Sequence, residues 1–86
     1  MIDREVTRTR KDDSGEITFL CNPESWWSPR SKEDAIRDID SEAYAYYVKW
    51  LGKRTEIEVV QGKTGKYLRT NWDGTTRNNL FDLQDC

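Results

Sequence analysis

Residues 31–50 read SKEDAIRDIDSEAYAYYVKW, and their apolar period changes from helical to alternating within these twenty positions. From Ser31 to about Glu42 the apolar positions Ala35, Ile36, Ile39 and Ala43 recur at helical spacing. From Tyr44 to Leu51 the pattern alternates, with Tyr44, Tyr46, Val48 and Trp50 on one face and Ala45, Tyr47 and Lys49 on the other. Ser31 followed by Asp34 resembles a capping box, and Glu33 and Asp34 suit the positive end of a helix. Ser28 with Pro29 at a first helical position is the competing start. Glu33 and Arg37 are spaced to pair across one turn of the wet face. So narrow an apolar stripe belongs to a helix lying on a sheet, not to a bundle.

Upstream, Glu5 to Lys11 alternates β-branched and basic side chains, and Asp12-Asp13-Ser14-Gly15 has turn chemistry. Glu16 to Cys21 completes a hairpin, with Ile17, Phe19 and Cys21 on one face and Thr18 and Leu20 on the other. Pro23 ends that strand because it cannot donate to a ladder. Downstream, Leu51-Gly52-Lys53-Arg54 turns the chain into a strand from Thr55 to Val60. Ile57 and Val59 point inward there, and Glu56 and Glu58 face out opposite Lys49. A turn at 62–65 leads to a last strand, Lys66 to Thr70. Asp73-Gly74 marks one more turn, and Leu80, Phe81 and Leu83 tack the tail to the body. The order ββαβββ predicts one α+β domain over residues 1–86, an antiparallel sheet with one helix packed on it. Residues 1–4 and 84–86 are expected to fray.

Composition bounds the rest. The chain has 86 residues and a net charge of −2, and Ile, Leu, Val and Phe supply only 16 of them. So low a share joins a disorder signature only at high net charge, which is absent here. The ten Phe, Trp and Tyr rings make up the shortage, so each ring is first a core candidate. No apolar run is long enough to span a bilayer, and residues 1–5 hold no stretch suited to a secretory signal; the expected location is the cytoplasm. Two cysteines in such a setting are expected to stay reduced, Cys21 as a small buried hydrophobe and Cys86 as an exposed thiol prone to adventitious dimers.

The chemistry-bearing residues exclude more than they propose. The chain has no histidine, which removes the usual base near neutral pH and the commonest zinc ligand. Gly62-Lys63-Thr64-Gly65-Lys66-Tyr67 fails as a phosphate loop on spacing and on Tyr67 where Ser or Thr is needed. The stretch Arg69 to Leu80 fails as a calcium loop at its first and last ligand positions. No catalytic constellation, metal or cofactor is expected, and the domain reads as non-enzymatic. Residues 44–77 hold seven basic groups against three acidic ones, interleaved with six rings, a pattern suited to single-stranded nucleic acid. The rest of the chain carries −6, which opposes that alternative. The favoured expectation is a module that binds a protein partner or itself. Trp26 and Trp27 are adjacent in a Pro-flanked loop, and two neighbouring side chains of extended backbone cannot both enter one core. With Arg30 they form one part of a binding edge. Tyr67, Arg69, Arg77 and Asn79 form the other, whose arginine forks suit an anion or a peptide carboxylate.

Laid end to end, these segments resemble a small bacterial family of uncharacterised proteins, a domain of unknown function. The likeness rests on Val6-Thr7-Arg8-Thr9-Arg10, on Trp27-Ser28-Pro29 entering Ala35-Ile36-Arg37-Asp38-Ile39, and on Tyr46-Tyr47-Val48. It continues through Glu58-Val59-Val60, Gly65-Lys66-Tyr67-Leu68-Arg69-Thr70 and Asp73-Gly74 to Asn79-Leu80 and Leu83. The resemblance implies a compact α+β domain with no assigned activity.

Overall fold

A computed structural model describes residues 2–50, 53–63, 65–70 and 83–86, without the side chains of Trp50 and Lys53. The expected series appears as β2 (Arg8–Lys11), β3 (Ile17–Cys21), α1 (Lys32–Asp40), β5 (Tyr44–Trp50), β6 (Lys53–Gly62) and β7 (Gly65–Thr70). Two short strands join it, β1 (Ile2–Glu5) and β4 (Arg30–Ser31). The strands divide into a sheet of order β1-β5-β6-β7 and a smaller one of order β2-β3-β4. All pairings are antiparallel except β1 with β5, which run parallel with Ile2 opposite Tyr44 and Glu5 opposite Tyr47.

Helix α1 begins where Ser31 Oγ accepts a hydrogen bond from the Asp34 N–H at 3.2 Å, so the Ser28-Pro29 start is not used. Ala35 is buried, and Ile36 and Ile39 pack against the core. Ala43 does not join them, because the helix stops at Asp40 and leaves Ala43 exposed beyond its cap. Arg37 pairs with Asp34 at 3.5 Å instead of with Glu33. The cap is a Schellman motif: Glu42 N–H donates to Ile39 O and Ala43 N–H to Asp38 O, both at 3.0 Å. That geometry puts Glu42 at φ 61°, a conformation that favours glycine.

The core joins the inner faces of both sheets to α1 through Val6, Ile17, Leu20, Trp27, Ala35, Tyr46, Val48, Ile57 and Leu68. The β2–β3 hairpin turns as its sequence requires. Asp12 Oδ1 accepts from Ser14 Oγ and from the N–H groups of Ser14 and Glu16, and Gly15 takes φ 86°. These bonds, with that from Ser14 Oγ the strongest, hold the Asp12 carboxyl below its ordinary pKa. The face assignment in β3 changes, however. Arg10 pairs with Phe19 but Lys11 with Ile17, so Thr18 is the extra residue of a bulge. The bulge puts Ile17 and Leu20 on the core side and turns Phe19 outward beside Arg10. Glu56 and Glu58 also find other partners than Lys49, pairing with Arg54 and Arg69 at 2.6 Å each.

Both termini depart from the expected fraying. Ile2–Glu5 is strand β1, and the tail forms a parallel bridge at Asp85 with Thr9. Thr9 N–H donates to Gln84 O and Cys86 N–H to Thr9 O, both at 3.0 Å. The cysteines are not free thiols either: Cys21 and Cys86 form a disulfide across 65 positions. In a chain-entropy model a loop of that length stabilises the folded state by about 4 kcal/mol. Leu83 packs on the core as expected, while Leu80, Phe81 and the Asp73-Gly74 turn lie outside the described residues.

The Schellman cap yields a test. Glu42→Gly relieves a left-handed L-residue at an exposed site and should raise stability by about 1 kcal/mol in urea unfolding, while Glu42→Ala should gain nothing.

Candidate functional site

Asp38 lies on the core side of α1, one turn beyond Ala35, and is buried with its carboxylate intact. A buried carboxylate needs partners for its lone pairs. Arg30, at the entry to the helix, supplies two parallel bonds: Nε to Oδ2 at 2.9 Å and Nη2 to Oδ1 at 3.0 Å. Tyr46 reaches in from β5 and donates its hydroxyl to Oδ2 at 2.5 Å. Arg4 of β1 donates Nη1 to the same hydroxyl at 2.8 Å and stands 3.8 Å from Oδ2. The chain Arg4, Tyr46, Asp38, Arg30 therefore ties together β1, β5, α1 and β4.

Two guanidinium groups meet one fully engaged carboxylate, and aromatic faces take up the remaining charge. Arg4 is only 5% exposed and its Cζ lies 3.5 Å from the Tyr44 ring centroid. The rings of Trp26, Trp27 and Tyr46 follow at 5.3, 5.6 and 5.7 Å. Trp27 is buried and meets Tyr46 edge to face at 5.6 Å. Trp26 caps the assembly from outside and is 86% exposed. The loop holding both indoles is cross-tied. Asn22 N–H donates to Ser28 Oγ at 2.9 Å, Asn22 Oδ1 accepts from Glu24 N–H at 3.1 Å, and Asn22 Nδ2 reaches Glu5 O at 3.0 Å.

The electrostatics fit a fixed joint and not an acid–base pair. Burial pushes the Asp38 carboxyl up, but hydrogen bonds from Arg30 and Tyr46, with the charges of Arg30 and Arg4, outweigh it and hold the pKa below its ordinary value. Burial, then the bond to Asp38, pushes the Tyr46 phenol up to about 12 against the opposing bond from Arg4. The hydrogen bond to Asp38 raises the Arg30 guanidinium further. None of these groups changes charge near neutral pH. Among the described residues no cluster of three or more Asp, Glu or Cys could hold a metal ion.

The binding edge expected from the sequence is divided by this geometry. Trp26, Trp27 and Arg30 surround the network, with Arg30 spent on Asp38. Tyr67 and Arg69 belong to β7, at the opposite margin of the larger sheet and on its outer face, away from inward-pointing Leu68. Arg69 is bound to Glu58 at 2.6 Å, and that bond raises its guanidinium pKa. Arg77 and Asn79 lie outside the described residues. Sequence reasoning missed Arg4, Asp38 and Tyr46 as a unit. The available signal was Asp38 itself, a carboxylate on the apolar stripe of Ala35 and Ile39.

Two outcomes follow from the network. Asp38→Asn leaves two inward guanidinium groups without their anion and should cost about 3 kcal/mol at neutral pH. Because the Asp38 pKa is depressed, its contribution is complete above the ordinary carboxylate pKa and is lost as pH falls through the lower folded value. The Asn variant should therefore match the parent at strongly acid pH. The raised Tyr46 pKa acts at the other end. Its contribution is complete below the ordinary value of 10.0 and disappears as pH rises to about 12, where absorbance should show a late phenol step that Tyr46→Phe removes.

No curated protein and no solved structure matches the chain. The family described as "Protein of unknown function (DUF3892)" matches residues 5–84, almost the whole length, and the chain belongs to that family.

Proposed function

We propose that the domain is a non-enzymatic interaction module that binds a protein partner or a second copy of itself through Trp26. The observation that carries this reading is the contrast between the two indoles. Trp27 is buried in the core, whereas Trp26 is left 86% exposed on a loop fixed by three Asn22 hydrogen bonds. A large ring held in place on the surface loses little freedom on binding, which is what interface anchors require. Ile2, 62% exposed, widens the apolar margin: the β1 register places it beside Tyr44 and two positions before Arg4.

Single-stranded nucleic acid draws less support. Tyr44 and Tyr46 face inward under Arg4 and α1, whereas Tyr47 and Tyr67 stand on the opposite face of the sheet. Three basic groups of this half are engaged: Arg54 with Asp3 and Glu56, Lys66 with Asp40, and Arg69 with Glu58. The Asp3 and Glu56 bonds raise the Arg54 guanidinium pKa, Glu56 first. Stacking and phosphate contact would therefore compete with contacts already made.

No helix is long and apolar enough to cross a membrane among the described residues. The disulfide favours an oxidising compartment, against the cytoplasmic location expected above. Alkylation of acid-quenched cells distinguishes them, by showing Cys21 and Cys86 as thiols or as a disulfide.

Sedimentation of the intact disulfide-bonded chain over a wide concentration range tests the binding reading, with capture from host extract as its second arm. Trp26→Ala should abolish self-association or capture and change stability by less than about 1 kcal/mol. A strict monomer, whose captured proteins are unaltered by Trp26→Ala, would contradict it.

A further inference from the structure

The smaller sheet carries a second feature, independent of Trp26. Strand β2 stands at one end of the order β2-β3-β4, and residues 84–86 lie along its outer edge. The Thr9 groups that point away from β3 find their partners there: Thr9 N–H donates to Gln84 O and Cys86 N–H to Thr9 O, both at 3.0 Å. Lys11 Nζ reaches Asp85 Oδ1 at 3.5 Å and Arg10 Nη2 reaches Cys86 O at 3.2 Å. Gln84, Asp85 and Cys86 are all exposed, whereas Leu83 before them packs on the core and Thr9 beneath them is fully buried. Without this cover, β2 would present unpaired backbone groups at a sheet edge.

The covalent bond decides whether the cover holds. Ordering one backbone residue costs about as much as one hydrogen bond returns, and water competes for bonds at an exposed site. The bonds of residues 84–86 therefore do little more than offset their own ordering. The Cys21–Cys86 bond removes much of that cost by pinning the last of the three to β3. The core, by contrast, closes through Val6, Ile17, Leu20, Tyr46, Val48 and Ile57 without any of them.

We propose that residues 84–86 are a redox-latched strap: the Cys21–Cys86 disulfide shuts it over the β2 edge, and a dithiol reductant opens it while the domain stays folded. One thiolate of the reductant attacks the disulfide, forms a mixed disulfide and expels one cysteine. Its second thiol then displaces the other cysteine. The chain gains two electrons and two protons as two thiols, and the reductant leaves as its own disulfide. Opening frees Thr9 N–H and C=O, while Lys11 Nζ keeps Thr9 Oγ1 at 2.9 Å and Leu83 O at 3.1 Å. The Asp85 carboxylate departs from the basic strand Arg8-Thr9-Arg10-Lys11, so the uncovered edge is more positive as well as unpaired. The strap is shut where disulfides persist and open where dithiols keep cysteines reduced.

The test follows amide hydrogen exchange by NMR in the full chain, oxidised, equilibrated with excess dithiothreitol, and as Cys86→Ser. In the oxidised chain Thr9 N–H should exchange about 100-fold or more slower than an unstructured peptide. Reduction should bring it to within about 10-fold of the peptide rate. Val6 N–H, bonded to Tyr47 O at 2.8 Å, should meanwhile stay protected by about 100-fold or more. Cys86→Ser should match the reduced chain without any reductant, and reoxidising the parent should restore slow exchange at Thr9. Thr9 protection that survives reduction would overturn the proposal, because noncovalent bonds would then hold the strap. So would Val6 losing its protection together with Thr9, since the disulfide would then support the whole domain, or a Thr9 amide already unprotected in the oxidised chain.

Discussion

A single buried carboxylate organises the structure. Asp38 sits inside the molecule because Ala35 and Ile39 pull its face of the helix against the sheets, and once inside it requires compensation from several directions. Arg30, Tyr46 and Arg4 provide it from three separate strands. Such a network adds less net stability than apolar residues of equal volume could, but losing one member is costly. Its consequence is placement. The helix entry, the first strand and the centre of the sheet meet in one register, and the indole loop is drawn in behind Arg4.

The core shows how a chain with so few aliphatic residues closes. Tyr46 and Trp27 occupy its centre, and Tyr44 covers the Arg4 guanidinium. Aromatic side chains do two tasks at once here. Their edges and faces fill volume, and their π-clouds and the Tyr46 hydroxyl accommodate a charge that aliphatic groups would leave stranded. Trp26 belongs to the same cluster by its contact with Arg4, yet most of its surface faces solvent. The rings that hold the fold together are thereby separated from Trp26, the exposed large ring among the described residues.

What the sequence disclosed was what local chemistry determines. The Asp12 to Gly15 turn, the Ser31 cap and the alternation through β5 all depend on neighbours within a few positions. What escaped depended on distance. Ile-Asp-Arg-Glu at 2–5 has no alternation that marks a strand, and its partner begins at Tyr44. The Thr18 bulge reverses a face without any glycine to announce it. The disulfide joins residues whose sequence setting argued for free thiols, and a hydrogen-bonded tail brings them together. Asp38 passed for one more solvated carboxylate, although its place on the apolar stripe required a basic partner.

Asp38 binds β1 to the helix through shared, interdependent bonds, and a double-mutant cycle measures that coupling. Arg4→Met, Asp38→Asn and their combination are compared by urea unfolding at neutral pH with the disulfide intact. A coupled network predicts an interaction energy of about 1–3 kcal/mol, the second substitution costing much less once the first is made. Additivity to within about 0.5 kcal/mol would contradict it, because Arg4 would then be held by its aromatic neighbours alone.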